Sequence, residues 1–257
     1  MILQRLATSI RKQDWFTVLI ETLIVVLGVF LGIQLGNWNA ARAEQRLAES
    51  YTVRLIADLE QDLSASRRLT SYYDAVTQSI VDADRMLSLT DPDPKALIVA
   101  AYRASEFTYT PKRRATWDQI VSSGDLDLLP NDMIASGLSD YYKFDEAADD
   151  TISRLQDTPY RLSVRFLVPL PIQLEIRDGC SDDIEENSNI NGFVAECRIA
   201  VDDSLLEDTA SALLESNDLQ KALRYQYSMV AAVQVNNRGD VFALNQLLAA
   251  LKEETAP

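Results

Sequence analysis

Histidine is absent from the sequence, and that single absence excludes much chemistry. Ser-His-Asp and Cys-His catalysis, most zinc sites and pH sensing by imidazole all need the ring. Glycine is scarce. Only five of the eight glycines lie beyond residue 36, and long stretches lack turn clusters, which favours a helical domain. Cysteine is limited to Cys180 and Cys197, both in one polar segment, as an extracytoplasmic disulfide would be. Basic residues are outnumbered, 24 to 39. Residues 1–36 carry Arg5, Arg11 and Lys12 against Asp14 and Glu21, so the remainder holds 21 basic and 37 acidic residues, a net of −16. A domain of that sign repels nucleic acid and anionic headgroups, so no nucleic-acid partner is expected.

What the sequence does have is one long apolar run, FTVLIETLIVVLGVFLGIQLG, from Phe16 to Gly36. Its 21 residues hold one charge, Glu21, and extend about 32 Å as a helix, close to the hydrocarbon thickness of a bilayer. Trp15 and Trp38 flank it at the positions of an interfacial aromatic belt. Residues 15–38 therefore read as a single transmembrane helix and 1–14 as a short tail. Arg5, Arg11 and Lys12 before the span are matched by Arg42, Arg46 and Arg54 after it, so positive charge alone does not orient the chain. A long C-terminal domain translocates largely regardless of charge, and the cysteine pair favours an oxidising compartment. Both place the tail in the cytoplasm and residues 39–257 outside. Ala41-Arg42-Ala43 has the letters of a signal-peptidase site, but so long an apolar core argues for retention.

Beyond Asn39 no proline or glycine occurs until Pro92. Leu47, Tyr51, Leu55, Leu59 and Leu63 step by four, and Leu69, Tyr73, Val76, Ile80, Ala83 and Leu87 follow. Glu44, Glu49, Asp58, Glu60, Asp62, Arg67 and Arg68 fall opposite. Asp93 and Pro94 open a short helix reaching about Ser105. Thr116 to Gln119 reads as a capping box, with Gly124 as the stop. A long helix from Asn131-Asp132 carries Ile134, Leu138, Tyr141, Ala148, Ile152, Leu155, Leu162 and Phe166 inward, kinks at Pro159 and ends at Pro169-Leu170-Pro171. Residues 172–202 read as a loop or small hairpin closed by Cys180–Cys197. Ser204 to Glu207 is a second capping box. One last helix over 218–252 turns Leu219, Leu223, Tyr227, Val230, Val233, Val241, Leu244, Leu248 and Leu251 inward, its phase holding across a weak point at Gly239, with a break there as the alternative. The fold class is all-α: one N-terminal transmembrane helix continuing into an elongated helical bundle.

Chemical signatures are few. Asn187, Asn189, Asn191 and Gly192 match the first half of a calcium loop, but Arg198 occupies the closing acidic position. Acid pairs such as Asp149-Asp150 and Asp182-Asp183 are what any acidic chain shows, and beyond the span no Ser-x-x-Lys occurs. No cofactor, metal or catalytic residue is assigned. Tyr72-Tyr73 and Tyr141-Tyr142 read as packing, each with one ring in a helix stripe and one beside it. Lys112-Arg113-Arg114 reads as a solvated loop or an internal partner for acids, and Arg238-Gly239-Asp240 matches an adhesion tripeptide by letters alone. Within the span, Gly28, Gly32 and Gly36 recur every four residues, and Glu21 shares their face. Small residues at that spacing let helices approach closely, and an acid at membrane depth faces a partner or snorkels to the interface.

Two stretches, IETLIVVLGVFLGIQLGNWNAAR and TWDQIVSSGDLDLLPNDMIASGLSDYY, resemble an uncharacterised family of bacterial inner-membrane proteins with a short tail, one span and a helical outer domain. That resemblance implies an inner-membrane, periplasm-facing protein and brings no activity with it. In the second stretch Leu126, Leu128 and Leu129 are expected inward and Asn131 as a cap. The leading expectation is a membrane-anchored interaction or scaffold protein, with the bilayer, a second copy or another membrane protein as partners through the span. A ligand-sensing outer domain is the alternative, and a carboxylate hydrolase a second one.

Two substitutions test the span. Gly32→Ile should weaken self-association of residues 10–40 by about 1–2 kcal/mol in a membrane association assay. Glu21→Leu should improve insertion yet reduce pairing. Equal signals from both variants and the parent would leave the glycines without an association role.

Overall fold

The computed structural model describes residues 15–130, 132–184 and 190–254. Its described residues are 80% helix and 3% strand, which makes the protein all-α. Helix α1 runs over Trp15–Leu87. The chain divides into two units between Tyr51 and Thr52.

In the first unit every side chain from Leu19 to Leu47 is exposed. The most apolar window there has a mean hydropathy of 2.2 with none of it buried, so the helix is long and apolar enough to cross a membrane. The Arg42 guanidinium lies 3.7 Å from the centre of the Trp38 ring, a cation–π contact that holds a polar group at the end of the apolar run.

The second unit begins with the remainder of α1. Tyr73, Val76, Ile80 and Ala83 are buried as the stripe predicts, while Asp62, expected on the charged face, is buried too. Helix α2 follows over Pro94–Ala104, its first turn held by Ala96 N–H donating to Asp93 Oδ1 at 2.7 Å. Helix α3 covers Ala115–Ser123 and stops at Gly124, whose φ of +77° is the left-handed conformation that glycine adopts without strain. Neither expected capping box forms. Thr116 lies inside α3 and its hydroxyl donates to Asp58 Oδ2 at 2.6 Å. A helix over Asp203–Glu215 (α8 below) has Asp202 at its N-cap with no side-chain cap. After a single 3-10 turn at Asp125–Leu128, Leu129 is buried but Leu126 is exposed. Asn131 lies outside the described residues.

The expected long helix after residue 131 is three helices: α4 over Asp132–Lys143, α5 over Asp145–Gln156 and α6 over Pro159–Leu167. Pro159 does not kink a helix. It starts one, because the residue before a proline is driven from α to extended backbone, and Thr158 is indeed extended and accepts a hydrogen bond from Arg161 N–H. The restart shifts the phase. Tyr160 and Val164 are buried, and Leu162 and Phe166 face out. Pro169 likewise opens a helix, α7 over Leu170–Gly179, where a loop was expected, with Pro171 in the first turn where no N–H is needed.

A two-stranded antiparallel hairpin follows, β1 over Asp182–Ile184 and β2 over Ile190–Phe193. Asn191 lies in β2, and Asn187 and Asn189 lie outside the described residues. Helix α8 spans Asp203–Glu215, and α9 spans Leu219–Glu254 unbroken through Gly239. Along α9, Leu219, Leu223, Val230, Val233, Leu244, Leu248 and Leu251 are buried, but Tyr227 is exposed. Its neighbour Gln226 is buried instead. Gln226 accepts from the Thr158 hydroxyl and donates to Ala104 O, which satisfies a polar group inside the core.

Helix α9 lies antiparallel beside α1. Gln220 donates to Ser88 at 3.0 Å, Gln234 to Asp74 at 2.7 Å and Lys252 to Glu60 at 2.7 Å. Tyr72 and Tyr73 are both buried, with their rings edge-on at 5.5 Å, and Tyr72 also meets Phe193 of the hairpin. The Tyr73 hydroxyl donates to Thr108 O at 2.7 Å.

Cys180 and Cys197 are joined in a disulfide that ties the end of α7 to the chain leaving the hairpin. Arg198 N–H donates to Gly179 O at 3.1 Å, and a side chain at Gly179 would collide with the backbone carbonyl of Arg198. Gly179→Ala should therefore cost about 1–3 kcal/mol, the usual penalty of overpacking. Gly239 has open space around it in mid-helix, so Gly239→Ala should stabilise by about 0.5–1 kcal/mol. Denaturant titration of the two variants checks both signs.

Candidate functional site

Helix α9 carries two apolar faces. One is the buried stripe; the other contains Val235 and Phe242, two turns apart, each about two-thirds exposed. Across from them stand Ile134 and Phe144 of the α4 segment, and between the two helices lies a cleft of ≈710 Å³. Such a shape suits an apolar side chain or helix edge, with polar groups at its floor to set orientation.

The floor is built by the basic loop. Lys112 reaches inward, its side chain only 8% exposed. Its ammonium donates to Tyr141 O at 2.9 Å and to Asp240 Oδ1 at 3.3 Å, and lies 4.0 Å from the centre of the Tyr141 ring. Arg114 donates to Tyr142 O at 3.0 Å. Both cations thus serve carbonyls in the last turn of α4, where free carbonyls and the helix dipole favour positive charge. The lysine–arginine run is an internal partner for acids and carbonyls.

Asp62 anchors the loop from below. Its carboxylate accepts from Arg113 backbone N–H at 3.2 Å, from Arg113 Nη1 at 3.1 Å and from the Tyr141 hydroxyl at 3.2 Å. The Tyr142 hydroxyl donates to Arg113 O, and its ring stacks on Trp117. Tyr141 and Tyr142 are both buried. Burial pushes the Asp62 carboxyl above its ordinary range, with Arg113 and Tyr141 pulling the other way. Asp240 is pushed up for the same reason, opposed by Lys112. Burial, then the Asp62 charge, drives Tyr141 upward and keeps it a hydrogen-bond donor.

The residues singled out from sequence lie elsewhere. Glu21 is exposed on α1, and nothing lies within 4 Å of a side-chain carbon placed at Gly28, Gly32 or Gly36. Steps of four put the three glycines on one side of the helix. Cys180 and Cys197 are bonded away from the cleft lining. Sequence reasoning missed the roles of Asp62 and Asp240. Asp62 sits three residues after Leu59, at the edge of the buried stripe, and that was its only signal.

Both floor carboxyls bind a proton more readily folded than unfolded. Their contribution is fully present below about 3.8, the ordinary value, and is lost as pH rises through the elevated folded values. The purified protein should therefore gain stability as pH falls from neutral toward that range, and Asp62→Asn should flatten the profile. Thermal melts across pH test this; equal slopes would remove Asp62 from the account.

No protein-family model, curated protein or solved structure matches this chain, so its functional reading rests on the geometry of the cleft and the apolar helix.

Proposed function

We propose that this protein is a membrane-anchored interaction protein: the apolar part of α1 fixes it in a bacterial inner membrane, and its helical domain binds a helix of a second protein in the periplasm. The observation that carries this reading is the α4–α9 cleft, whose exposed Phe144, Val235 and Phe242 interrupt a strongly acidic surface. Exposed apolar patches with polar rims are characteristic of binding surfaces, and an amphipathic helix laid in a groove is a common way to fill one. The Cys180–Cys197 bond supports the periplasmic side, since reducing compartments keep thiols free. The face of Glu21, Gly28, Gly32 and Gly36 offers a second route to the same partner, or to another copy, within the bilayer.

A photo-crosslinking side chain at Phe242 in the full chain, activated in intact membranes, tests the proposal. A discrete adduct is expected, of twice the chain's mass for self-pairing or of another mass for a different envelope protein. The same probe at exposed Asp84 on α1 should give none. No discrete adduct at 242, or the same adduct at 84, would overturn the reading. The ligand-sensing alternative draws its support from a separate arginine-lined pocket formed by α2, α6 and α7.

A further inference from the structure

Just beyond α2, Glu106 is buried with its side chain 8% exposed, and three guanidinium groups converge on it. Arg177 Nη2 lies 2.8 Å from Oε1, Arg165 Nη2 lies 3.0 Å from the same oxygen, and Arg161 Nη1 lies 3.6 Å from Oε2. Arg161 is also spent on Ser105 O at 2.6 Å. Asp182 and Arg103 stand nearby and offset each other. The local count is four guanidinium groups to two carboxyls, in a chain whose net charge is −15.

Arg165 is the anomaly. Its guanidinium carbon lies over the Tyr102 ring, 3.4 Å from the ring centre, and its side chain is only 16% exposed. Its Nε, Nη1 and Nη2 atoms are all buried; Nη2 has its ion-pair contact with Glu106, while Nε and Nη1 make no hydrogen bond among the described residues. Burial, then repulsion from Arg177, pulls its pKa down to about 9. Buried donors left unmade are costly, and a native structure that keeps them calls for a reason.

Those atoms are closed to solvent, so Arg165 acts outward through its charge, which borders an open space. A pocket of ≈300 Å³ is lined by Tyr102, Arg161, Arg165 and Arg177, with Leu170 and Leu174 also in its wall. These leucines are 65% and 61% exposed, one turn apart on α7, and Arg177 follows Leu174 on the same side. Gln173 also reaches the pocket, but its amide N–H groups are used on Arg165 O and Val168 O. Guanidinium groups recognise carboxylate and phosphate by paired N–H donors, and a second anion would balance the surplus charge that Glu106 leaves.

We infer that Arg177 and Arg161, backed by the charge of Arg165 and gathered on Glu106 and Tyr102, form a binding site for a small organic oxyanion, a carboxylate or phosphate monoester whose apolar chain lies on Leu170 and Leu174. The acidic surface and the small pocket disfavour a polyanion or a charged membrane surface. The site uses none of the cleft residues, so it stands or falls apart from the interaction reading.

Calorimetric titration of the full chain in non-ionic detergent tests the inference, at constant ionic strength, with hexyl phosphate, hexanoate, inorganic phosphate and hexyltrimethylammonium. One hexyl anion should bind saturably and at least tenfold more tightly than inorganic phosphate, and whichever is tighter identifies the head group. The cation should not bind. Arg177→Gln, at the half-exposed mouth, should weaken that anion at least tenfold in protein whose helical circular dichroism matches the parent. Leu174→Asn should reduce it to the level of inorganic phosphate. Saturable binding by neither hexyl anion, or undiminished binding in Arg177→Gln, would overturn the site.

Discussion

A helix as long as α1 cannot bury its own apolar stripe, and the second unit is organised around covering it. Helix α9 lies antiparallel alongside, joined to it at Ser88, Asp74 and Glu60. The hairpin contributes Phe193 against Tyr72. Tyr73, Val76, Ile80 and Ala83 then share one core with residues of α2, α6, α7 and α8. The polar links at the flanks of this pairing fix register more than they add energy, since exposed ion pairs are worth little.

Polar groups inside that packing are almost all answered by other polar groups. Gln226 is satisfied by Thr158 and Ala104, and Asp62 by Arg113 and Tyr141. These links cross between elements far apart in sequence, so each one selects a single arrangement of helices over near alternatives. Breaking such a buried pair leaves a charge or donor with nothing to offset its lost hydration. This is why a loop as basic as Lys112-Arg113-Arg114 is ordered against the acidic helices instead of extending into solvent.

Two surfaces escape this closure, and they differ in kind. The α4–α9 cleft exposes apolar rings and presents little net charge, as a protein-binding groove does. The arginine pocket holds surplus positive charge where the chain as a whole is acidic. Net charge governs what approaches from a distance, but local charge governs what is held, because the buried cluster is less screened than the surface. A chain that is acidic overall can thus still hold a local surplus of positive charge.

The apolar run of α1, the all-α class, the Asp93–Pro94 helix start, the Gly124 stop and the unbroken last helix could be read from sequence, because each depends on local backbone chemistry or simple periodicity. The Cys180–Cys197 pairing was legible for a different reason: only two cysteines exist. Tertiary structure decided the rest. Thr116 donates to Asp58 instead of capping its helix, since a partner on α1 offers a better acceptor than its own backbone. Three helices replaced one after residue 131, and the reset phase buried Tyr160 and Val164 in place of Leu162 and Phe166. Asp62 lies 51 residues from Arg113, and Lys112 lies 128 residues from Asp240. Glu106 likewise draws its arginines from two later helices. Spacing along one helix cannot reveal such clusters, because the forces that build them, desolvation and charge pairing, act between segments that only folding brings together.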